Sequence, residues 1–105
     1  PTAVVVANDM MALGVMQELR ERGVEVPGDV SVVGFDDIAF ASLAAPPLTT
    51  VSLPREELGR RAVEALVASI EHSEQQGTDI HIETHLVERD STGRAPARTA
   101  AEDLA

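Results

Sequence analysis

The sequence predicts an α/β fold of parallel strands with flanking helices. Two observations carry this. The β-branched run TAVVVA leads into the amphipathic segment MMALGVMQELRER and then into a second apolar run, VSVVGF. Strand, helix and strand at this spacing form a βαβ unit, whose strands lie parallel with a right-handed crossover. Each run also stops on a polar pair, Asn8–Asp9 and Asp36–Asp37. In open α/β sheets the ligand crevice lies outside the carboxyl ends of the strands, where these pairs fall.

Residues Thr2 to Ala7 read as a strand buried on both faces, the kind found inside parallel sheets. Asn8 or Asp9 follows as helix N-cap, its side-chain oxygen accepting an orphan backbone N–H. In the helix, Ala12, Val15, Met16 and Leu19 share one face, with Met10 and Leu13 beside that stripe. Gly23 stands at the C-terminal cap position. Pro27 and Gly28 mark a turn before the second strand, roughly Val30 to Phe35. IAFASLAA suits one or two helical turns, which Pro46 and Pro47 end. LTTVSLP is extended, and Pro54 opens a helix, REELGRRAVEALVASIEH. Leu58, Ala62, Ala65, Leu66, Ser69 and Ile70 form one face of that helix, and Glu56 and Glu57 suit its dipole. A polar loop, SEQQGTD, precedes an alternating strand, IHIETHLVERD, and the small, polar end TGRAPARTAAEDLA is expected to be disordered.

Composition narrows the classes of function. At 105 residues the chain suits one compact domain, and 44% apolar content marks it as globular. Phe35 and Phe40 are the only aromatic residues, so Val, Leu, Ile, Ala and Met must build the core. Eight Lys and Arg against 18 Asp and Glu leave a net charge of −10, the opposite of the basic patch that duplex DNA requires. Cysteine is absent, which excludes disulfides and thiolate metal sites and fits a cytoplasmic location. No apolar run approaches the length of a membrane span, and no signal-peptide pattern stands at the start.

Catalytic signatures are scarce. There is no glycine-rich phosphate loop and no GxSxG elbow. HIETH sets His81, Glu83 and His85 on one face of a strand, a spacing that suits a solvated edge better than a metal site. No cofactor or metal is expected. The polar pairs at the strand ends are the better candidates. Where Asp37 caps the short helix after it, Asp36 faces the crevice; where Asp9 caps, Asn8 reaches in. A carboxylate beside an amide grips adjacent hydroxyls well, since both accept hydrogen bonds and the amide also donates. The plainer alternative is that all four residues are caps and turn formers. An Asp36–Asp37 acid/base pair is a poor enzyme, because adjacent residues at a strand end point apart.

Four elements in order, AND-MALG, VP-DVSVVGFDD, PPLTTV and the EELGRRA helix, resemble the C-terminal part of a LacI/GalR-family transcriptional regulator. The closing LVERDSTG is similar to that family's final strand, so the likeness extends to about Gly93. The resemblance implies a periplasmic-binding-protein-like (type I) lobe fragment. Residues 1–51 would belong to the C-terminal lobe, 52–82 to a hinge crossing and a helix of the N-terminal lobe, and 83–93 to a return strand, with 94–105 a disordered tail. The DNA-binding helix-turn-helix and most of the N-terminal lobe would lie outside this chain.

By the same resemblance, Asn8 and Asp36 match positions that line the family's effector cleft, and Leu53 and Arg55 fall among its hinge contacts. Leu53 stands where glutamine is frequent, which points to a different effector. Arg55 either helps bind an acidic effector or is a solvated arginine at a helix start. Met10 and Leu13, with Phe40 and Leu43, would form part of a homodimer interface of C-terminal lobes, or be covered by other parts of their own lobe. The implied function is allosteric. A small molecule, a sugar or similar polyol, binds between lobes and alters DNA binding through the separate N-terminal domain. A sugar-binding protein of a bacterial transporter shares the fold and is the alternative; PPLTTV, GFDD and RDST favour the regulator.

Overall fold

The computed structural model describes residues 1–73 and 77–97. The chain divides into two units, Pro1–Ser52 together with the chain from Leu86, and Leu53–His85.

In the first unit, β1 (Ala3–Val5) pairs in parallel with β2 (Ser31–Val33), Ala3 opposite Ser31 and Val5 opposite Val33. The two edges of the β2 segment serve different partners, because successive backbone groups along a strand point to opposite sides. Ser31 N–H donates to Thr2 O at 2.9 Å, and Val33 O and Phe35 O accept from Val6 N–H (2.8 Å) and Asp9 N–H (2.9 Å), both just past β1. From the alternate residues, Val32 N–H donates to Ser91 O, Gly34 N–H to Thr49 O and Asp36 N–H to Val51 O. Parallel bridges Val33–Thr49 and Asp36–Ser52 continue this second edge toward β3 (Thr50–Ser52). β3 is hydrogen-bonded in turn to β4 (His85–Val87).

Helix α1 (Asp9–Glu21) forms where its apolar spacing predicts and buries Ala12 and Met16. Gly23 follows the C-cap at φ 72°, the left-handed geometry that glycine adopts without a Cβ penalty, and its N–H reaches Arg20 O at 3.0 Å. The core consists of Val6, Ala12, Met16, Val32, Ala41 and Leu48, bordered by Val15, Leu19, Val26 and Ile38. Each buried Val, Leu or Met side chain in it contributes about 1.5–3 kcal/mol, and each alanine methyl less. The short helix α2 (Ala39–Leu43) adds Ala41 to that core, and Pro46 and Pro47 follow it.

Two expectations change. β1 is not buried on both faces: Val5 is 79% exposed, while Val6, just past the strand, is buried against α1. The closing strand is also shorter than IHIETHLVERD, because only His85–Val87 joins a ladder. Beyond it the backbone turns to other partners. Arg89 N–H donates to Thr49 Oγ1 at 2.9 Å, and the N–H groups of Asp90 and Ser91 donate to Pro47 O at 3.1 and 2.9 Å. The buried Ser91 hydroxyl donates to Val32 O at 2.6 Å and accepts from Thr49 N–H at 2.8 Å. Thus RDST is a clip across the second edge rather than a strand. Part of the expected tail, residues 98–105, lies outside the described residues, as do residues 74–76 of the polar loop.

The second unit centres on α3 (Arg55–Glu71), which begins after Pro54 and has no buried residue. The predicted apolar face is present as a stripe, with Leu58, Leu66 and Ile70 all exposed. Arg60–Glu64 at 2.8 Å and Glu57–Arg61 at 3.9 Å are i,i+4 ion pairs, each worth roughly 0.2–0.5 kcal/mol on a helix surface.

Gly34 marks the tightest approach in the first unit. A Cβ there would overlap Asp9 Oδ1 and lie 3.0 Å from Leu48 Cδ2 and 3.3 Å from Asp9 Cα. Gly34→Ala is expected to destabilise the protein by about 2–3 kcal/mol through overpacking, read as a lower urea midpoint at unchanged slope.

Candidate functional site

Asn8 and Asp36 both lie at the carboxyl ends of neighbouring parallel strands, each three residues past the last register pair, Val5 and Val33. Of the two cap residues the sequence offers, the structure uses Asn8, so the arrangement in which Asp9 caps and Asn8 is left to reach in is not the one found. Asn8, not Asp9, is the N-cap: its Oδ1 accepts from Met11 N–H at 2.9 Å, from an extended backbone at φ −155°. The cap uses the oxygen of the amide and leaves its NH2 as the donor that can meet a ligand. Asp9 begins the helix itself and is fully buried. Its Oδ1 accepts from Thr50 Oγ1 at 2.6 Å, and its Oδ2 from Ile38 N–H at 2.9 Å.

Asp37 does not cap α2 either. The N-cap residue is Ile38, with no side-chain cap bond, and the N–H of Ile38 is held by Asp9 instead. Asp37 forms an ion pair with Arg89, Nη2 to Oδ1 at 2.8 Å, with both side chains about four-fifths buried. Arg89 Nη1 also donates to Leu48 O at 3.0 Å, so one guanidinium joins the aspartate to the segment leading into β3. The Asp37 N–H donates to Thr50 Oγ1 at 3.3 Å. The Thr50 hydroxyl therefore gives its single hydrogen to Asp9 and accepts from Asp37.

This network surrounds an unusual turn. Asp36 has φ 118° and Asp37 φ 54°, consecutive non-glycine residues at positive φ. Such conformations cost about 1–3 kcal/mol each and persist where the surroundings over-determine them. Here the surroundings are the bond from Asp36 N–H to Val51 O at 3.0 Å, the Thr50 hydroxyl, the Asp9 carboxylate and Arg89. The result is a carboxylate, Asp36, presented on a fixed backbone beside the start of α1.

The remaining candidates fall elsewhere. Leu53 and Arg55 belong to the second unit; Leu53 is half-buried, and Arg55 is the exposed first residue of α3. His85 opens β4 while His81 and Glu83 lie outside any strand, and all three are exposed. Met10, Phe40 and Leu43 are 63%, 63% and 77% exposed, and Leu13 is half-buried. A cavity of about 710 Å3 opens in the first unit between the end of α1, the loop Val24–Gly28 and Ala45–Pro46. It lies at the amino end of β2, opposite Asn8 and Asp36. Thr50, Arg89 and the buried role of Asp9 were not foreseen from sequence. The available signals were a threonine pair inside an apolar stretch and a lone arginine between acidic residues.

The family described as periplasmic binding protein-like domain matches residues 1–92. The HTH-type transcriptional repressor PurR of Vibrio cholerae serotype O1 (strain M66-2) is 42% identical over 91 residues, covering 87% of this chain and 27% of the repressor. Among solved structures, the transcriptional regulator CelR–cellobiose complex is 41% identical with a TM-score of 0.76, covering 86% of this chain and 28% of that one. The Lac repressor dimer bound to operator and the anti-inducer ONPF is also 41% identical, with a TM-score of 0.74, covering 88% of this chain and 32% of that one. This chain belongs to the periplasmic binding protein-like family, as an effector-binding domain segment of the LacI/GalR regulators. It spans about a quarter of the length of the curated relatives it matches.

Thr50 is the testable joint of the site. Thr50→Val leaves the buried Asp9 oxygen without its hydroxyl donor and is expected to cost about 1–3 kcal/mol in urea unfolding, whereas Thr50→Ser keeps most of the stability.

Proposed function

We propose that this chain is the effector-sensing part of a LacI-type regulator that binds a sugar or similar polyol and controls DNA binding allosterically. The carrying observation is the placement of the Asn8 amide and the Asp36 carboxylate at the carboxyl ends of adjacent parallel strands. The Asp36 carboxylate accepts hydrogen bonds from two neighbouring hydroxyls, and the Asn8 NH2 donates to a third oxygen. Similarity to a regulator solved with cellobiose supports the same class. Leu53 and Arg55 are proposed as ligand contacts on the family resemblance alone.

Nothing in this constellation offers paired acid/base chemistry, so binding rather than turnover is the task. The sugar acts as a switch only by binding one arrangement of the family's two lobes better than the other. DNA contact is assigned to a separate helix-turn-helix domain, consistent with the net charge of −10 carried here, and the setting to the cytoplasm. Self-association is assigned to Met10, Leu13, Phe40 and Leu43, three of them large apolar side chains exposed in the first unit. Similarity to a dimeric Lac repressor supports that assignment.

Calorimetric titration of the full-length protein with cellobiose and with glucose is expected to show saturable binding of at least one. Asp36→Ala is expected to weaken it roughly tenfold to a hundredfold, the scale of a lost hydrogen bond to a charged group. Unchanged affinity in that variant would rule Asp36 out as the ligand contact. Met10→Glu combined with Leu43→Glu is expected to raise the dimer dissociation constant at least about tenfold in sedimentation experiments, by placing charge in an apolar contact.

A further inference from the structure

We infer that Arg89 is a positioning residue of the effector site: through Asp37 it holds the left-handed Asp36–Asp37 turn that presents Asp36 to the ligand. The inference deepens the sugar-binding proposal above and rests on it. Arg89 itself does not need to touch ligand. Its guanidinium spans Asp37 Oδ1 at 2.8 Å and Leu48 O at 3.0 Å, tying the aspartate side chain to the backbone just before β3. Asp37 sits at φ 54°, in the left-handed region that Asp enters more readily than most L residues, and Asp36 at φ 118°, beyond that region and far more costly without a glycine. The backbone bonds on this turn fix one edge of it: Asp36 N–H to Val51 O, Asp37 N–H to Thr50 Oγ1 and Ile38 N–H to Asp9 Oδ2. The ion pair restrains the Asp37 side chain from a residue 52 positions later in sequence. The backbone of Arg89 is separately anchored, its N–H donating to Thr49 Oγ1 at 2.9 Å, so the side chain can be altered while its attachment to the clip persists.

Apparent affinity scales with the fraction of protein in the binding-competent conformation, so a turn that relaxes nine-tenths of the time binds about tenfold more weakly. Glycine separates the proposed role from a purely electrostatic one. At position 37 it adopts positive φ without steric cost and needs no ion pair to stay there. Alanine removes the same carboxylate and keeps the cost.

The test uses the full-length protein, titrated with cellobiose and glucose, with amide hydrogen exchange followed in parallel. Arg89→Gln and Asp37→Ala are expected to weaken sugar binding roughly tenfold. Both should also speed exchange at Asp36, Asp37 and Ile38 while Val6 and Val32 stay protected. Asp37→Gly is expected to bind within about twofold of the parent, and Arg89→Gln in the Asp37→Gly background to add no further loss. Equal weakening by Asp37→Gly and Asp37→Ala overturns the inference, because the charge and not the backbone would then matter. Lowered thermal stability with sugar affinity unchanged across the Arg89 and Asp37 variants also overturns it. If Asp36→Ala weakens binding while those variants do not, only the role of Arg89 falls. If Asp36→Ala leaves binding intact, or neither sugar binds, the sugar-site proposal falls and this inference falls with it.

Discussion

A carboxylate removed from water needs fixed donors, and the buried Asp9 organises this lobe by having them. One oxygen takes the Thr50 hydroxyl and the other the Ile38 amide, while its own backbone N–H closes the ladder to Phe35. Three segments distant in sequence meet on this one side chain: the start of α1, the turn after β2 and the start of β3. An uncompensated charge at such a depth would cost several kcal/mol, so each donor constrains the place of the others. Gly34 belongs to the same constraint, since the carboxylate occupies the volume that a Cβ would fill.

The βαβ unit and α1 were legible because they rest on local pattern. β-branched runs, the Ala12–Met16 spacing and Gly23 each report their own surroundings. The site was legible only in outline. That Asn8 and Asp36 lie at strand ends follows from where the apolar runs stop. Which member of each pair caps and which is buried does not, because Asn and Asp serve either role and the choice is made by residues far along the chain. Asp9 goes inward because Thr50 and Ile38 are there to receive it. Asp37 turns aside because Arg89 is within reach. The alternation in IHIETHLVERD was a misleading signal at its end for the same reason: Arg89 and Asp90 have partners outside a regular ladder, in Thr49 and Pro47.

The exposed stripes on α3 and beside α1 follow from the opposite circumstance. Their spacing was read correctly as amphipathic, yet Leu66 and Ile70 remain exposed. Periodicity states that a face is apolar and is silent about its partner. In the first unit, the core that does close is small and aliphatic, so its definition comes as much from hydrogen bonds such as those of Ser91 and Thr49 as from packing.

The Ser91 clip carries a consequence for how the protein is made. Its hydroxyl joins Val32 and Thr49, 59 and 42 residues earlier in the chain. A nascent polypeptide can form α1 and pair β1 with β2 soon after they emerge, but the second edge of β2 waits for RDST to be synthesised. Until then Val32 O and Thr49 N–H have water or a foreign strand as partners, and the Arg89–Asp37 ion pair is not yet made. The Asp36–Asp37 turn therefore gains its Arg89 restraint only after RDST is made, and the interval before it is one in which a chaperone or a neighbouring nascent chain has access to the open edge.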